Sequence, residues 1–177
     1  MTPSKEELNM LKVNVITTGG TIEKVYSEQT STVENLDNQI DRYLCRLRLP
    51  DFDVRVVPLL NKDSLEMTDA DRRGILELVE QMLGERAAIV ITHGTDTMVQ
   101  TGVYLKQALP ELKVPIVLTG AMTPLGFEGS DGLQNLTESL FAVRVLGPGI
   151  YLVMHNQAFP IDRVRKDRET SRFVWIA

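Results

Sequence analysis

Hydrophobic residues gather in five short runs, over 13–17, 54–60, 88–92, 114–118 and 150–154, each rich in Val, Ile or Leu. Near-continuous runs of this length predict strands buried on both faces of a parallel sheet, since a half-solvated strand would alternate. Between the runs the period changes. Thr68 with Asp71 three residues on predicts a capping box, and Ile75, Leu76, Val79, Met82 and Leu83 recur at helical spacing as far as Gly84. A second helix is predicted over 97–109, stopped by Pro110. A third is predicted over 131–146, with Leu133, Leu136, Leu140 and Val143 on one face and Gly147-Pro148 as its stop. Strand and helix alternate, which implies α/β with right-handed crossovers: an open, mostly parallel sheet with helices on both faces. No repeat, low-complexity tract or linker divides the 177 residues, which read as a single domain, 1–177.

One stretch breaks the pattern. Residues 18–38 show no periodicity, and so long a connection inside a compact domain predicts a functional loop or lid, the alternative being a plain surface loop.

Composition narrows the chemistry. The net charge of −5 argues against a nucleic-acid surface. The one basic cluster, Arg163, Arg165, Lys166 and Arg168, is interrupted by Asp162 and Asp167 and reads as a solvated face or a catalytic segment. Cys45 is the only cysteine, so an intrachain disulfide is ruled out; among Tyr43, Leu44 and Leu47 it reads as a helix core residue. One Cys with His93 and His155 cannot assemble a zinc site, and neither a metal nor a cofactor is expected. The first dozen residues, with Glu6, Glu7 and Lys12, are too polar for a signal peptide, and no apolar run approaches the roughly 18 residues of a membrane span. A soluble cytoplasmic protein with no membrane partner is expected. Chemistry must then come from hydroxyls, carboxylates, lysine or backbone amides.

Three predicted strand ends carry similar turns: Thr17-Thr18-Gly19-Gly20-Thr21, Thr92-His93-Gly94-Thr95-Asp96 and Thr119-Gly120-Ala121-Met122. Ligands of open parallel sheets bind outside the carboxyl ends of the strands, so the three turns should converge on one crevice. Glycine lets backbone amides approach a ligand closely, which suits an anion or a carbonyl and leaves phosphate open as well.

The wording of these turns carries more. Thr18-Gly19-Gly20-Thr21-Ile22, then Ile91-Thr92-His93-Gly94-Thr95-Asp96-Thr97-Met98, then Thr119-Gly120-Ala121-Met122 followed by Ser130-Asp131-Gly132 and Asn135-Leu136, closely resembles the bacterial-type L-asparaginase/glutaminase family. The resemblance implies hydrolysis of L-asparagine to L-aspartate and ammonia through a threonine nucleophile and an acyl-enzyme. Thr21 matches the nucleophile, and Tyr26 matches the tyrosine of the mobile loop that takes its proton. Thr95 and Asp96 match the threonine and aspartate of a second cluster that also holds a lysine. Ser64, in Ser64-Leu65-Glu66-Met67-Thr68-Asp69, matches the serine that binds the substrate α-carboxylate together with the Gly94 amide, and Asp96 would hold the α-ammonium. Turn amides around Gly20, Gly94 and Ala121 would complete substrate and oxyanion binding. His93 is expected to position its turn rather than act as a base.

Three departures accompany the resemblance. Leu65 stands where the family commonly has glutamine. Leu146 is expected at the position of the larger members' network lysine, and Lys166 is the candidate replacement. The chain also stops at Ala177, so it resembles the larger members' N-terminal domain or a short form. A homo-oligomer is expected, with the apolar segment 173–176 as a candidate contact and Tyr104, Phe173 and Trp175 as core or interface residues. Two rivals stand beside the hydrolase: a non-catalytic amino-acid-binding module, and a nucleotide-binding Rossmann domain disfavoured by the missing G-x-G-x-x-G. A hydrolase preferring another small amide, such as glutamine, is a third.

Overall fold

The computed structural model describes residues 10–36, 39–85 and 87–176. In chain order the strands are β1 (Leu11–Gly19), β2 (Val25–Ser27), β3 (Thr32–Glu34), β4 (Phe52–Lys62), β5 (Ala88–Thr92), β6 (Pro115–Thr119), β7 (Gly149–Met154), β8 (Gln157–Pro160), β9 (Val164–Asp167) and β10 (Arg172–Trp175). The helices are α1 (Ile40–Leu44), α2 (Asp69–Leu83), α3 (Met98–Ala108) and α4 (Gly132–Val145). The main sheet runs β4-β1-β5-β6-β7-β8, parallel throughout except for the antiparallel β7–β8 pair.

Successive strand side chains point to opposite faces, and each face has its own helical cover. Ile16, Ile89, Ile91, Ile116, Leu118 and Leu152 share one buried cluster with Ile75, Val79, Met98 and Leu105 of α2 and α3. Val13, Val15, Val90, Val117 and Val153 share the other with Ile40, Tyr43, Leu136 and Leu140 of α1 and α4. Each such side chain contributes roughly 1.5–3 kcal/mol relative to exposure. The expected architecture is therefore present. β5 and β6 are buried at every residue. Only the 54–60 run departs from expectation: β4 alternates half-buried and exposed positions, because it is an edge strand with one neighbour.

α2 opens with the predicted capping box: Thr68 Oγ1 accepts from the Asp71 amide at 3.2 Å, and the Asp71 carboxylate accepts from the Thr68 amide at 2.8 Å. Cys45 corrects an expectation. It follows the C-terminal end of α1 and is exposed; α1 is only five residues long and buries Ile40, Tyr43 and Leu44 instead.

The aperiodic stretch is structured. It contains a one-turn 3-10 segment at Thr21–Glu23 and an antiparallel β2–β3 hairpin; its last two positions, 37 and 38, lie outside the described residues. After β8 the chain forms a second antiparallel hairpin, β9–β10. Phe173 is buried in the core, whereas Trp175 meets Phe159 edge-on at 4.9 Å and stays 57% exposed. The apolar segment 173–176 is thus divided between core and surface. Among the described residues no helix is long and apolar enough to cross a membrane.

Candidate active site

The pairing register sets Thr17, Thr92 and Thr119 side by side at the carboxyl ends of β1, β5 and β6. The turns that follow are tied to each other at once. Thr18 Oγ1 donates to the Thr92 carbonyl at 2.8 Å, the His93 amide donates to the Thr119 carbonyl at 2.8 Å, and Thr119 Oγ1 donates to the Val153 carbonyl at 2.8 Å. The hydroxyls of Thr18 and Thr119 thus fasten strand ends.

Two glycines bring the turns closer than side chains would permit. Gly20 has φ +79°, and a β-carbon there would collide with the backbone of Gly94. A β-carbon on Gly94 would in turn fall 2.5 Å from Ser64 Oγ. Gly20, Gly94 and Ser64 therefore form one stack in which backbone amides and a hydroxyl can face the same ligand. The three turns do converge.

Ser64 is 1% exposed and its hydroxyl has no hydrogen-bond partner among the described residues. Leaving a buried hydroxyl unpaired costs about 1–3 kcal/mol, which a ligand oxygen would recover. The Ser64 backbone is fixed on both sides. Its carbonyl accepts from Thr97 Oγ1 at 2.8 Å, and the preceding Asp63 binds the Leu65 amide at 3.1 Å and Lys24 Nζ at 2.7 Å. The Lys24 bond and its charge, with the Leu65 amide, hold the Asp63 carboxyl below its ordinary range.

His93 locks the middle turn. Its Nδ1 lies 2.9 Å from the Gly94 carbonyl, which can only accept, so Nδ1 carries the proton. Nε2 is then an acceptor and takes the Thr101 hydroxyl at 2.8 Å, with Met67 Sδ beside it at 3.1 Å. Complete burial pushes the imidazole down to about 4, opposed by the Gly94 bond and aided by the charge of Arg72. A neutral ring with both nitrogens engaged is a positioning group, as expected.

The third turn hangs on Asp131. Its carboxylate accepts from the amides of Met122 at 3.0 Å and Thr123 at 2.9 Å, from Asn135 Nδ2 at 2.9 Å and from His155 Nε2 at 2.7 Å. Asn135 also donates to the Gly120 carbonyl at 2.9 Å. Burial alone would push the Asp131 carboxyl up, but the two amides, His155 and Asn135 together hold it below its ordinary value. The Ser130-Asp131-Gly132 and Asn135 part of the motif is scaffold for the turn bearing Ala121, which is fully buried.

The charged cluster forms at the start of α3. Lys166 Nζ donates to Thr95 Oγ1 at 2.7 Å and to Asp96 Oδ1 at 3.1 Å, and Arg168 reaches the same Asp96 oxygen at 3.5 Å. Because the Thr95 oxygen accepts from lysine, its own proton remains available to a ligand. Leu146 has no part in this. It follows the C-terminal end of α4 and precedes β7, which puts it at the opposite end of the sheet from Thr95. The amine bonded to Thr95 and Asp96 arrives instead on β9, after a 3-10 turn at Ile161–Arg163.

Of the residues singled out in sequence, Thr95, Asp96 and Lys166 form one hydrogen-bonded group, and Gly20, Gly94 and Ser64 are stacked in close approach. Thr21 is half-buried and follows Gly20 directly, in the 3-10 segment. Tyr26 stands apart from both groups: it is 57% exposed on β2. Sequence reasoning missed Asn35, whose Nδ2 donates to the Gly20 carbonyl at 2.9 Å, and the buried Glu23.

The family model "Asparaginase, N-terminal" matches residues 12–173. An L-asparaginase of Thermococcus kodakarensis is 31% identical over 156 residues, which span 88% of this chain and 48% of that protein. L-asparaginase 1 of Escherichia coli K12 is 35% identical over 136 residues, 73% of this chain and 39% of that one. Among solved structures, the thermostable T. kodakarensis L-asparaginase superimposes with a TM-score of 0.83 over 94% of this chain and 51% of its own. L-asparaginase I from Vibrio cholerae does so with a TM-score of 0.78 at 27% identity, over 94% and 51%. The chain spans about half the length of these relatives, or less.

Proposed function

Since this chain belongs to the asparaginase N-terminal family, we propose that it hydrolyses the side-chain amide of L-asparagine to L-aspartate and ammonia, with Thr21 as nucleophile. The observation that carries the reading is the Lys166–Thr95–Asp96 group set beside the Gly20–Gly94–Ser64 stack. One group can move protons; the other can hold an anion.

The substrate α-carboxylate takes the unpaired Ser64 hydroxyl and the Gly94 amide, and the α-ammonium takes Asp96. Thr21 Oγ attacks the amide carbonyl, forming a C–O bond as its proton passes to the Tyr26 hydroxyl, which hands its own phenolic proton on toward the amide nitrogen. Amides of the Gly20 and Ala121 turns face the oxyanion, where fixed donors are worth the most. A proton delivered to the amide nitrogen lets the C–N bond break and ammonia leave. Water then cleaves the ester, which restores the Thr21 hydroxyl and releases aspartate. Thr95 serves this cycle as a donor, because lysine occupies its acceptor side.

Tyr26 is exposed on the β2–β3 hairpin, so we take that hairpin as the lid whose closure brings its hydroxyl to Thr21. Lid closure that completes a catalytic set is a common device. The deciding experiment is ammonia release by the purified chain from L-asparagine, L-glutamine and D-asparagine. Fastest release from L-asparagine supports the reading. Saturable amino-acid binding with no ammonia from any of the three would replace it with the binding module.

A further inference from the structure

Glu23 closes the 3-10 segment that Thr21 opens, and the reaction above makes no use of its carboxyl. It is 1% exposed. Its carboxyl folds back under the turn it follows, where the Thr17 side chain and the Gly19 amide hydrogen-bond to it. Its own amide donates to the Gly20 carbonyl at 3.2 Å. One residue thus holds the end of β1 and both glycines that precede Thr21.

The other carboxyl oxygen, Oε1, has no hydrogen-bond partner among the described residues. Glu23 lines a groove of about 320 Å³ with Thr17, Pro58, Leu59, Leu60 and Asn61. That groove exists because the β1–β4 register slips: Thr17 pairs with Pro58 but Gly19 pairs with Lys62, so residues 59–61 bulge away. A carboxylate here would leave a charged oxygen against proline and leucines. A neutral carboxylic acid would not.

We propose that Glu23 is a positioning residue for Thr21 and that the nucleophile turn is built to close on the protonated carboxyl. Ionisation strands a negative charge beneath Gly19-Gly20 and loosens the turn. Burial supplies the energetic push, raising the group to about 7 against the opposing Thr17 and Gly19 bonds. The charged neighbours on the packed elements do not neutralise it. Lys24 of its own segment is engaged by Asp63 at 2.7 Å, and Lys62 of β4 by Asp71 at 2.8 Å. Thr17 and Gly19 of β1 offer only a hydroxyl and an amide.

The inference rests on Thr21 as nucleophile, and its test has one arm that does not. In the first arm, amide hydrogen exchange of residues 19–22 is followed from pH 5 to pH 9 in the wild type and in Glu23→Gln, with each rate referred to the same backbone in an unfolded peptide. The wild type should lose at least tenfold in protection between about pH 6 and pH 8, and E23Q, a permanent neutral isostere, should keep it. In the second arm, kcat and KM for asparagine are measured across the same range. The wild-type kcat should fall through the same interval at constant KM. E23Q should lack that limb, and Glu23→Ala should lower kcat at least tenfold at every pH. Protection that is equally pH-independent in wild type and E23Q overturns the proposal. So does an E23Q kcat profile superimposable on that of the wild type. A wild type that releases no ammonia removes the proposed function but leaves the exchange arm to decide the role of Glu23.

Discussion

Lys166 Nζ lies 2.7 Å from Thr95 Oγ1, although 71 positions separate the two residues in sequence. The strand that delivers the lysine, β9, is anchored by Val164, which is fully buried, and by its pairing with β10. The lysine is therefore set by a paired strand, and Thr95 by the turn that the His93 bonds hold in place. This is the arrangement a proton relay requires, because a small misplacement of either group is costly.

From it follows the first prediction. Lys166→Met keeps the stem and loses the ammonium, so Thr95 and Asp96 lose a charge-assisted partner. Hydrogen bonds to charged groups are worth about 1.5–3 kcal/mol, which sets a fall in kcat of at least roughly tenfold to a hundredfold. Asparagine turnover and thermal melting measure both sides of the claim. A melting temperature within a few degrees of wild type with crippled turnover is expected; near-normal turnover would remove the lysine from the reaction.

The nucleophile is tested by trapping. Thr21→Ala and Thr95→Ala should each reduce turnover by several orders of magnitude, since groups that act as a unit are not additive. Kinetics alone then cannot separate them. Rapid acid quench of a slow substrate, followed by peptide mass analysis, should place the acyl group on the peptide containing Thr21. An adduct on Thr95 would reverse the assignment.

The backbone stack makes a structural prediction with its own control. Gly20→Ala puts a methyl into the backbone of Gly94 at φ +79° and should cost more than about 2 kcal/mol along with activity. Gly74 lies inside α2 with nothing within 4 Å of an added β-carbon. Gly74→Ala should therefore stabilise by about 0.5–1 kcal/mol, through helix propensity and a more restricted unfolded chain. Denaturant midpoints of the two variants should move in opposite directions.

How far the sequence could be read follows from what these residues do. The runs of the four inner strands are legible because burial on both sides of a sheet writes itself as nearly uninterrupted Val, Ile and Leu, and the three helices because apolar residues recur at helical spacing. The converging turns are legible because parallel strands put all carboxyl ends on one edge. The β2–β3 and β9–β10 hairpins are not, because Val-Arg-Lys-Asp and Thr-Val-Glu carry charge where a strand signal wants apolar residues. The sequence offers the lysine as a candidate for an indirect reason only, as a substitute for a position just past α4. Its chemistry depends on a contact over 71 positions that no local pattern encodes. Glu23 escaped altogether, since a lone glutamate after a turn reads as solvated and only the β4 bulge reveals it as buried.

The Asp131 network sets an acid limit on stability. Its carboxyl is held below the unfolded value of 3.8, so the stabilisation is present above that pH and is lost as pH falls through the folded value. Asp131→Asn should flatten the loss of melting temperature on acidification relative to wild type. It should also lower stability near neutrality by on the order of 1–3 kcal/mol, because the Met122 and Thr123 amides must then share a neutral acceptor. An acid limb identical in both proteins would assign that limb to other carboxyls.

The last prediction concerns the hairpin that carries Tyr26. Two bonds tie its ends down: Lys24 to Asp63 at 2.7 Å before β2, and Asn35 to the Gly20 carbonyl at 2.9 Å after β3. Between them, Tyr26 at 57% and Val33 at 40% are exposed, and the two strands pair only with each other. An isolated two-stranded hairpin is marginal in water, so this segment should open locally at little cost. Limited proteolysis of the unliganded chain should cut within 27–32, and bound aspartate should slow the cut severalfold if closure brings Tyr26 over Thr21. Removing one tether by Lys24→Ala should speed cutting in both states and raise KM more than it lowers kcat, since the open form must be closed at the expense of binding. Equal cutting with and without aspartate would mean that the hairpin does not close on the ligand, and Tyr26 would then have no route to the Thr21 proton.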